Sequence, residues 1–535
     1  MGLVERLGGR GGPVIAVRPL FLLLLLLPAG AAAQPAPYRQ TAAVLSHYPD
    51  VAGMKLDSPA FSTSEPSLTR QDAMLGFLAT LAQESRHARL GSIGRSTQDR
   101  DIPVVYLTNE GLSDPAAIAR LGRPVIWLIG QQHGNEPAGG EAMLALCSAL
   151  ARGELAPLLA KVSVVIVPRA NVDGAAADKR VLASGADPNR DHLLLSQPEV
   201  RALHAAMRAL PPDVVFDHHE FSVAWRWVEK FNGLQGSDVM ILEATNPSIP
   251  MALSDIARNL YRPALEAAIR QQGLTSFDYV TTDPAPADKR VSLGGTAPGI
   301  ARNTFGLRGA VSYLIETRGV GIGLQSYQRR VSTHYVLAKA VLEVSAADPG
   351  GLLRRLAEAR AAAAADRSDL IVSHDQGERE VDLPLINAES GAPMPTPVRL
   401  IDNRDIRPVD VRARPAGYLV MRGAATVAER LALNAVSRTL AVDAYDVERR
   451  TTRRSRESIN PDQSVRVQIK RKTIDVPVGA LFVPTAQPAA GIVAAALEPD
   501  SPGSYLGVGV IPMAAEETEA PVYRVMDASG LVLRP

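Results

Sequence analysis

The stretch Gly130-Gln131-Gln132-His133-Gly134-Asn135-Glu136-Pro137 contains two residues whose types and spacing suit a metal site. His133 and Glu136 are separated by two residues on a predicted tight turn, where an imidazole nitrogen and a carboxylate can point toward one position. Such a pair supplies two of the three protein ligands of a zinc site of the two-His, one-Glu type. The alternative is a polar loop in which Glu136 stabilises the N-terminus of the following helix.

A third ligand is expected where another strand ends at the same edge of the predicted sheet. The chain has nine histidines, and His218 and His219 follow the short apolar run Val214-Val215-Phe216 directly. Neighbouring residues of an extended segment point to opposite faces, so only one of the two should reach a metal ion. A purely structural role for the run Asp217-His218-His219-Glu220 is the alternative.

Hydrolysis at such a site also needs a base, and Glu316 is a candidate. It follows the apolar run Val311-Ser312-Tyr313-Leu314-Ile315, which predicts a strand. A carboxylate there could take a proton from a water molecule that the metal has acidified. The alternative is a charged residue that only ends a strand.

Cationic and amide side chains cluster in the connection before the predicted helix at 197–210. Asn189 and Arg190 lie in the polar loop Asp187-Pro188-Asn189-Arg190-Asp191, and Arg180 precedes them. Arginine can bind a carboxylate through two hydrogen bonds, and asparagine adds a donor. The alternative is a turn with an exposed arginine.

Strand and helix signals alternate through the first two thirds of the chain. Apolar runs predict strands, and helical spacing of apolar residues predicts helices between them. The predicted strands cover 101–107, 124–130, 162–167, 213–217 and 310–315, and the helices cover 69–90, 138–150, 197–210, 251–272, 327–344 and 352–367. This alternation predicts an α/β sheet with helices on both faces, which binds ligands at the carboxyl ends of its strands.

The pattern changes after about residue 368. Short β-branched segments, turns and prolines replace the long helices, which predicts a smaller, β-rich domain over 369–535. Within it, strands are expected near 465–470 and 480–483 and a helix near 425–434. The basic run at 449–456 is interpreted as a solvated loop.

Composition limits the kinds of site and partner. The formal net charge of the 535-residue chain is +1, which gives no support to nucleic-acid binding. Cys147 is the single cysteine, so neither an internal disulfide nor a cysteine-rich zinc site is possible. Any metal ion must therefore be held by His, Asp or Glu.

Residues 1–33 have the features of a secretory signal peptide. Arginines precede the apolar run at 20–27, and Ala31-Ala32-Ala33 resembles a cleavage site. The apolar run is too short to span a bilayer comfortably, and no later segment is apolar for long enough. We expect a secreted or periplasmic protein with no stable membrane insertion after signal cleavage.

The motifs occur in an order that resembles one known family. The order is His133-x-x-Glu136, Asn171-Val172-Asp173-Gly174, Arg180, Asp187-Pro188-Asn189-Arg190, Asp217-His218-His219 and Glu316-Thr317-Arg318-Gly319. It resembles the zinc metallocarboxypeptidases of the carboxypeptidase A type, whose pattern is His-x-x-Glu, Asn-Pro-Asp-Gly, Asp-x-Asn-Arg, Asp-x-His and a late Glu. The resemblance covers about 65–346. It implies an α/β fold with a mixed, mostly parallel sheet flanked by helices, in a catalytic domain of residues 34–368.

The resemblance also implies roles for the matching residues. It makes His133, Glu136 and His219 the ligands of one zinc ion, with His219 chosen because it occupies the His of Asp-x-His. Asp217 is then placed to orient a ligand imidazole. The remaining roles are Glu316 as general base, Arg180 as the stabiliser of the oxyanion, and Asn189 and Arg190 as binders of the substrate's terminal carboxylate.

One part of the family pattern is missing. The family usually has a substrate-binding tyrosine some way before the base, but the run at 292–299 contains none. Tyr279 is the nearest upstream tyrosine. Arg302 and Asn303 are predicted to contribute to substrate binding instead.

The implied activity is that of an exported zinc carboxypeptidase acting in proteolysis, with a peptide or an acylated amino acid as substrate. One alternative keeps the fold and metal but changes the substrate, as in deacylases of the succinylglutamate desuccinylase and aspartoacylase type or a murein-peptide amidase. The other is a binding protein that has lost catalysis on the same scaffold.

Overall fold

An eight-stranded mixed sheet organises the chain in a computed structural model that describes residues 36–431, 435–453 and 462–529. The predicted signal peptide at 1–33 lies outside the described residues, as do 432–434 of the predicted helix and 454–456 of the basic run. The strands of the described chain are β1 Ala88–Arg95, β2 Asp101–Leu107, β3 Val125–Gly130, β4 Ser163–Val167, β5 Val214–Ser222, β6 Gly233–Gln235, β7 Val239–Glu243, β8 Ser276–Asp278, β9 Thr281–Thr282, β10 Val291–Ser292, β11 Val311–Val320, β12 Leu370–Asn387, β13 Pro393–Arg412, β14 Gly417–Val420, β15 Ala435–Arg453, β16 Asp462–Pro484 and β17 Glu519–Val525.

Helices cover both faces of this sheet. They are α1 Ala42–Leu45, α2 Gln71–Glu84, α3 Pro115–Ala119, α4 Pro137–Arg152, α5 Val172–Ala176, α6 Pro198–Ala209, α7 Arg226–Phe231, α8 Met251–Ile256, α9 Arg262–Gln271, α10 Ala301–Leu307, α11 Tyr327–Ala347, α12 Pro349–Ala365, α13 Ala424–Leu431 and α14 Ala490–Leu497. None of the described helices combines the length and apolarity needed to cross a bilayer.

The strand order of the central sheet is β1-β2-β4-β3-β5-β11-β7-β8. The four central strands β4, β3, β5 and β11 are parallel, whereas β11 pairs antiparallel with β7. The predicted fold, a mixed and mostly parallel sheet flanked by helices, is therefore confirmed. Parallel strands place their carboxyl ends at one edge, so the loops after them meet there.

The apolar run of β3 is continuous because both faces of the strand are covered. Ile126 and Leu128 pack in a core cluster with residues of α4 and α11. Trp127 alternates with them and joins a second cluster with residues of α6 on the opposite face. Trp127 is fully buried, and truncation of such a side chain to alanine typically costs about 3–5 kcal/mol.

Several predicted element bounds are wrong in informative ways. His218, His219 and Glu316 are predicted directly after the ends of two short strands, but they lie within β5 and β11, which are longer than predicted. These two strands continue because each supplies the other's hydrogen-bonding partners, a long-range pairing that a local pattern does not contain. The predicted helix at 251–272 is helical from Met251 to Gln271, but a π-helical segment at Ala257–Tyr261 joins α8 to α9 just before Pro263, which lacks a backbone N–H.

Beyond residue 368 the chain is rich in strands, as predicted, but two of these strands, β12 and β13, pair with strands from earlier in the chain. A five-stranded sheet has the order β6-β12-β13-β10-β9, and β14, β16, β15 and β17 form a closed barrel. The segments predicted as separate strands at 465–470 and 480–483 are parts of the single strand β16. Residues Tyr38–Pro535 form one compact unit, and the division into domains 34–368 and 369–535 stays a prediction.

Candidate metal centre and active site

The register of two parallel strands brings a histidine and a carboxylate together. In the pairing of β5 with β11, His219 is the partner of Glu316 and His218 is the partner of Ile315. In-register neighbours on adjacent strands project to the same face, about 4.8 Å apart along the sheet. His219 and Glu316 therefore share one face, and His218 projects to the other.

The turn between β3 and α4 delivers His133 and Glu136 to this same place. Glu136 precedes Pro137, whose fixed φ suits the first turn of α4. Gly139 allows α4 to approach closely, since a Cβ atom there would lie 2.9 Å from His218 Cβ. Gly134 lies in similar contact with the backbone of Gly174, so the turn is fixed from two sides.

The donor atoms of three residues converge on one point. His133 Nδ1 lies 2.8 Å from Glu136 Oε1, and His219 Nδ1 lies 2.9 Å from Glu136 Oε2. The two imidazole Nδ1 atoms are 3.0 Å apart. All three residues are buried. Two imidazole nitrogens and a carboxylate facing one another are a donor set that fits a divalent zinc ion, with a coordination position left for water or substrate.

Each imidazole is oriented through its outer nitrogen by a carboxylate. His133 Nε2 lies 3.1 Å from Asp187 Oδ1, and His219 Nε2 lies 2.8 Å from Asp217 Oδ2. Such contacts fix the ring so that Nδ1 faces the metal position. The expected orienting role of Asp217 agrees with this geometry. Sequence reasoning missed Asp187, although it opens the Asp-Pro-Asn-Arg motif.

The charges of this cluster favour a bound cation. Burial raises the pKa of Glu136, but the adjacent imidazoles outweigh it and hold the pKa well below its usual range. Burial lowers the pKa of His219, but Asp217 and Glu136 raise it well above the ordinary value. The position where the donor atoms meet therefore favours positive charge. A divalent metal ion supplies that charge in place of protons.

Glu316 is buried at the wall of the same cavity. Burial raises the pKa of its carboxyl to about 8, with further raising by the charges on Glu136 and Asp217. His219 and Arg180 act in the opposite direction. A carboxylate with a raised pKa is a stronger base than a free one, which suits proton transfer near neutral pH.

Arg180 is held beside the donor cluster by Asp187. Its Nη2 donates to Asp187 Oδ2 at 2.9 Å, and its Nη1 lies 3.3 Å from Glu136 Oε1. Asp187 therefore positions both His133 and the guanidinium of Arg180. The charge of Arg180 faces the cavity that Glu316 also lines.

Asn189 and Arg190 also line this cavity, which has a volume of about 740 Å³. Asn189 Oδ1 accepts a hydrogen bond of 2.8 Å from the backbone N–H of Ala301, so Nδ2 is the donor that this side chain can offer to a ligand. Arg190 Nη1 donates to the Asn189 carbonyl at 2.8 Å. The hydrogen bond between Asn189 Oδ1 and Ala301 fixes the first turn of α10, the helix that carries Arg302.

Arg302 and Tyr279 complete the cavity wall. Arg302 is buried and donates from Nη2 to the carbonyl of Gly295 at 2.6 Å. Burial raises the pKa of the Tyr279 hydroxyl, which therefore stays protonated as a donor. Tyr279 lies in the segment between β8 and β9. Its distance from Glu316 in sequence did not suggest that it lines the same cavity.

His218 has a different environment from its neighbour. Its Nδ1 lies 3.0 Å from His334 Nδ1, and His334 Nε2 contacts the Thr317 hydroxyl at 2.9 Å. Burial lowers the pKa of His218 to about 3, so it is a neutral core histidine. Within the described residues, His133, Glu136 and His219 are the group of His, Cys, Asp or Glu side chains that could hold a metal ion.

The family comparison agrees with the geometry of this centre. Residues 74–321 match the family model described as zinc carboxypeptidase, a span that contains every candidate site residue. The chain matches the zinc carboxypeptidase family over residues 74–321 and resembles a carboxypeptidase over 91% of its length. It is therefore a zinc metallocarboxypeptidase, a hydrolase.

Full-length relatives of this zinc carboxypeptidase occur among fungal proteins. It is 28% identical over 523 residues to Carboxypeptidase 2 of Trichophyton rubrum, covering 91% of this chain and 94% of the relative. Carboxypeptidase 2 of Trichophyton equinum is 27% identical over 511 residues, with the same coverage. Among solved structures, it is similar to a metallo-carboxypeptidase from Burkholderia cenocepacia, with 20% identity, a TM-score of 0.39, and coverage of 52% of this chain and 69% of that chain.

Proposed function

We propose that the chain is an exported zinc carboxypeptidase that releases the C-terminal residue of peptides, with one zinc ion held by His133, Glu136 and His219. The observation that carries this proposal is the meeting of three buried donor atoms, 2.8–3.0 Å apart, beside the in-register carboxylate of Glu316. Export rests on the signal-like features of residues 1–33.

Glu316 is the general base. When bound, zinc acidifies a water molecule and polarises the scissile carbonyl. Glu316 removes the proton from the attacking water and later delivers it to the nitrogen of the leaving amino acid. Its burial supports this role, because a desolvated carboxylate with a raised pKa accepts a proton more readily.

Arg180 stabilises the negative charge that develops on the carbonyl oxygen. A preorganised cation lowers the barrier because it needs no rearrangement when the charge appears. The pair of contacts from Arg180 Nε and Nη2 to Asp187 Oδ2, at 3.2 and 2.9 Å, supplies that preorganisation.

Asn189 and Arg190 bind the α-carboxylate of the C-terminal residue. Arginine suits this group because its planar donors can engage both carboxylate oxygens, and Asn189 Nδ2 adds a third donor. Both residues line the cavity that Glu316 reaches. Recognition of a free carboxylate directs hydrolysis to the last peptide bond.

The proposal is tested on the wild-type full chain, on the same protein after chelation and on E316Q, each assayed with N-blocked dipeptides. N-acylated amino acids are the comparison substrates. Wild-type protein should release the C-terminal residue, and chelation should abolish release until zinc is restored. E316Q should keep one zinc ion per chain and lose at least about 10²-fold in kcat/KM. Near-normal turnover by E316Q, or hydrolysis of the acylated amino acids alone, would contradict the proposal.

A further inference from the structure

Arg302 is a buried cation that has no ion-pairing carboxylate among the residues that the structure describes. Arg302 is 2% exposed, and Glu243, a carboxylate whose charge acts on it, is paired with Arg258 and Arg404 instead. Nη2 donates to the Gly295 carbonyl, while the buried Nε has no hydrogen-bonding partner. Because a buried charge normally has an ionic partner, this guanidinium is suited to an anion supplied from outside the chain.

The cavity wall is built to keep this guanidinium accessible to a ligand. Gly294 has a φ of +58°, and a Cβ atom there would lie 3.0 Å from Arg302 Nη2 and 3.1 Å from the Tyr279 ring. A side chain at this position would therefore crowd both groups. The absence of a Cβ leaves Arg302 and Tyr279 side by side at the wall of the cavity.

The charge of the cavity lining favours an anionic ligand. The lining contains four arginines, Arg180, Arg190, Arg226 and Arg302, and two carboxylates, Glu220 and Glu316. Glu220 is held by Arg330, whose Nη2 lies 2.6 Å from Glu220 Oε1, and Arg180 is held by Asp187 at 2.9 Å, so these two charges are already paired. Glu316 is reserved for proton transfer, so positive charge exceeds negative charge where substrate binds.

We propose that Arg302 binds the side-chain carboxylate of the substrate's C-terminal residue, so that the enzyme prefers peptides ending in glutamate or aspartate. This inference rests on the proposed function. The α-carboxylate is bound by Asn189 and Arg190, so a second, buried cation serves a second carboxylate. A C-terminal acidic residue is the peptide end that carries two.

The test compares N-blocked dipeptides that end in Glu or in Gln, which differ by the charge but hardly in size. Wild-type protein should favour Glu by at least about tenfold in kcat/KM, the range expected for a hydrogen bond to a charged group. R302M should lose at least about tenfold on the Glu substrate and change by less than about threefold on the Gln substrate. R270M, which removes an exposed arginine on α9, should keep the wild-type ratio.

The outcomes separate the two proposals. Absence of release from every peptide overturns the carboxypeptidase assignment. Release without a preference for Glu, or equal losses by R302M on both substrates, overturns the acidic subsite, because equal losses mean that Arg302 binds the α-carboxylate instead.

A second measurement needs no variant. Free glutamate and free glutamine are the products of the two substrates, and each should compete with substrate at the wild-type site. Glutamate should inhibit at a concentration at least about tenfold lower than glutamine. Equal inhibition constants would overturn the acidic subsite even if R302M fails to fold.

Discussion

Glu316 lies directly opposite His219 in the register of the adjacent parallel strands β11 and β5. This pairing places a general base beside a metal ligand without any loop between them. A one-residue shift would bring Ile315 beside His219 and turn Glu316 to the other face. The base is therefore held as rigidly as the sheet itself.

The raised pKa of Glu316 predicts an acid limb in the pH profile of activity. Burial raises this pKa from 4.5 to about 8 in the chain alone, and a bound dication acts in the opposite direction. The base must be ionised to work, so kcat/KM should fall about tenfold per pH unit below a midpoint between pH 4.5 and 8. Initial rates across this range measure the midpoint, and a flat profile would contradict the role of Glu316.

His219 and His218 should respond differently to the same substitution. H219A removes a donor atom and should weaken zinc binding by more than about 100-fold, beyond the loss expected for an orienting residue. H218A should keep zinc, because its imidazole contacts His334 on the other face. Its cost should be a lower free energy of unfolding, by about 2–4 kcal/mol for the cavity created.

Zinc content after dialysis and chemical denaturation separate these effects. Loss of zinc in H218A with retention in H219A would show that the ligand assignment is wrong.

Asp187 should affect both metal binding and catalysis. D187N keeps the side-chain shape but removes the charge that orients His133 and holds Arg180. Zinc affinity should fall about 10–100-fold, and kcat/KM at saturating zinc should also fall, because Arg180 loses its ionic anchor. Competition with a chromogenic chelator measures the affinity. D191N is the matched control, since Asp191 binds the backbone of Ser196 and Gln197 instead.

Glu243 should contribute stability that is lost in acid. Burial raises its pKa, but hydrogen bonds and charge from Arg404, together with Arg258, lower it to about 2. A pKa below the ordinary 4.5 means that the stabilisation is present above pH 4.5 and disappears as the pH falls toward 2. The contact joins β7 of the central sheet to β13, with Arg404 Nε 2.8 Å from Glu243 Oε1.

E243Q should therefore lower the free energy of unfolding by about 2–4 kcal/mol at pH 7, and by much less near pH 2. Denaturant titrations at both pH values measure the difference. E343Q removes the exposed partner of Lys339 and should cost less than about 1 kcal/mol. An E243Q effect as small as that of E343Q would refute the assignment.

The sequence by itself determined the fold class and the order of the motifs. Apolar runs and helical spacing are local signals, so β2, β3, β4 and the long helices could be predicted, whereas β1 was missed and its first residues were assigned to a helix. The resemblance to zinc carboxypeptidases followed from five short motifs in order, and the family comparison confirmed it. The roles of the individual residues stay predictions that the proposed experiments test.

Only the tertiary structure decided which side chains meet. Strand register places His219 beside Glu316, in agreement with the family resemblance, and Asp187 meets His133 across 54 positions of sequence. Arg302 and Tyr279 reached the cavity through packing around Gly294, and strands beyond residue 368 joined a sheet begun by β6, β9 and β10. These relationships are long-range contacts, which local periodicity does not encode. The metal-binding chemistry of the His133–Glu136 turn, in contrast, could be predicted from its two residue types and their spacing.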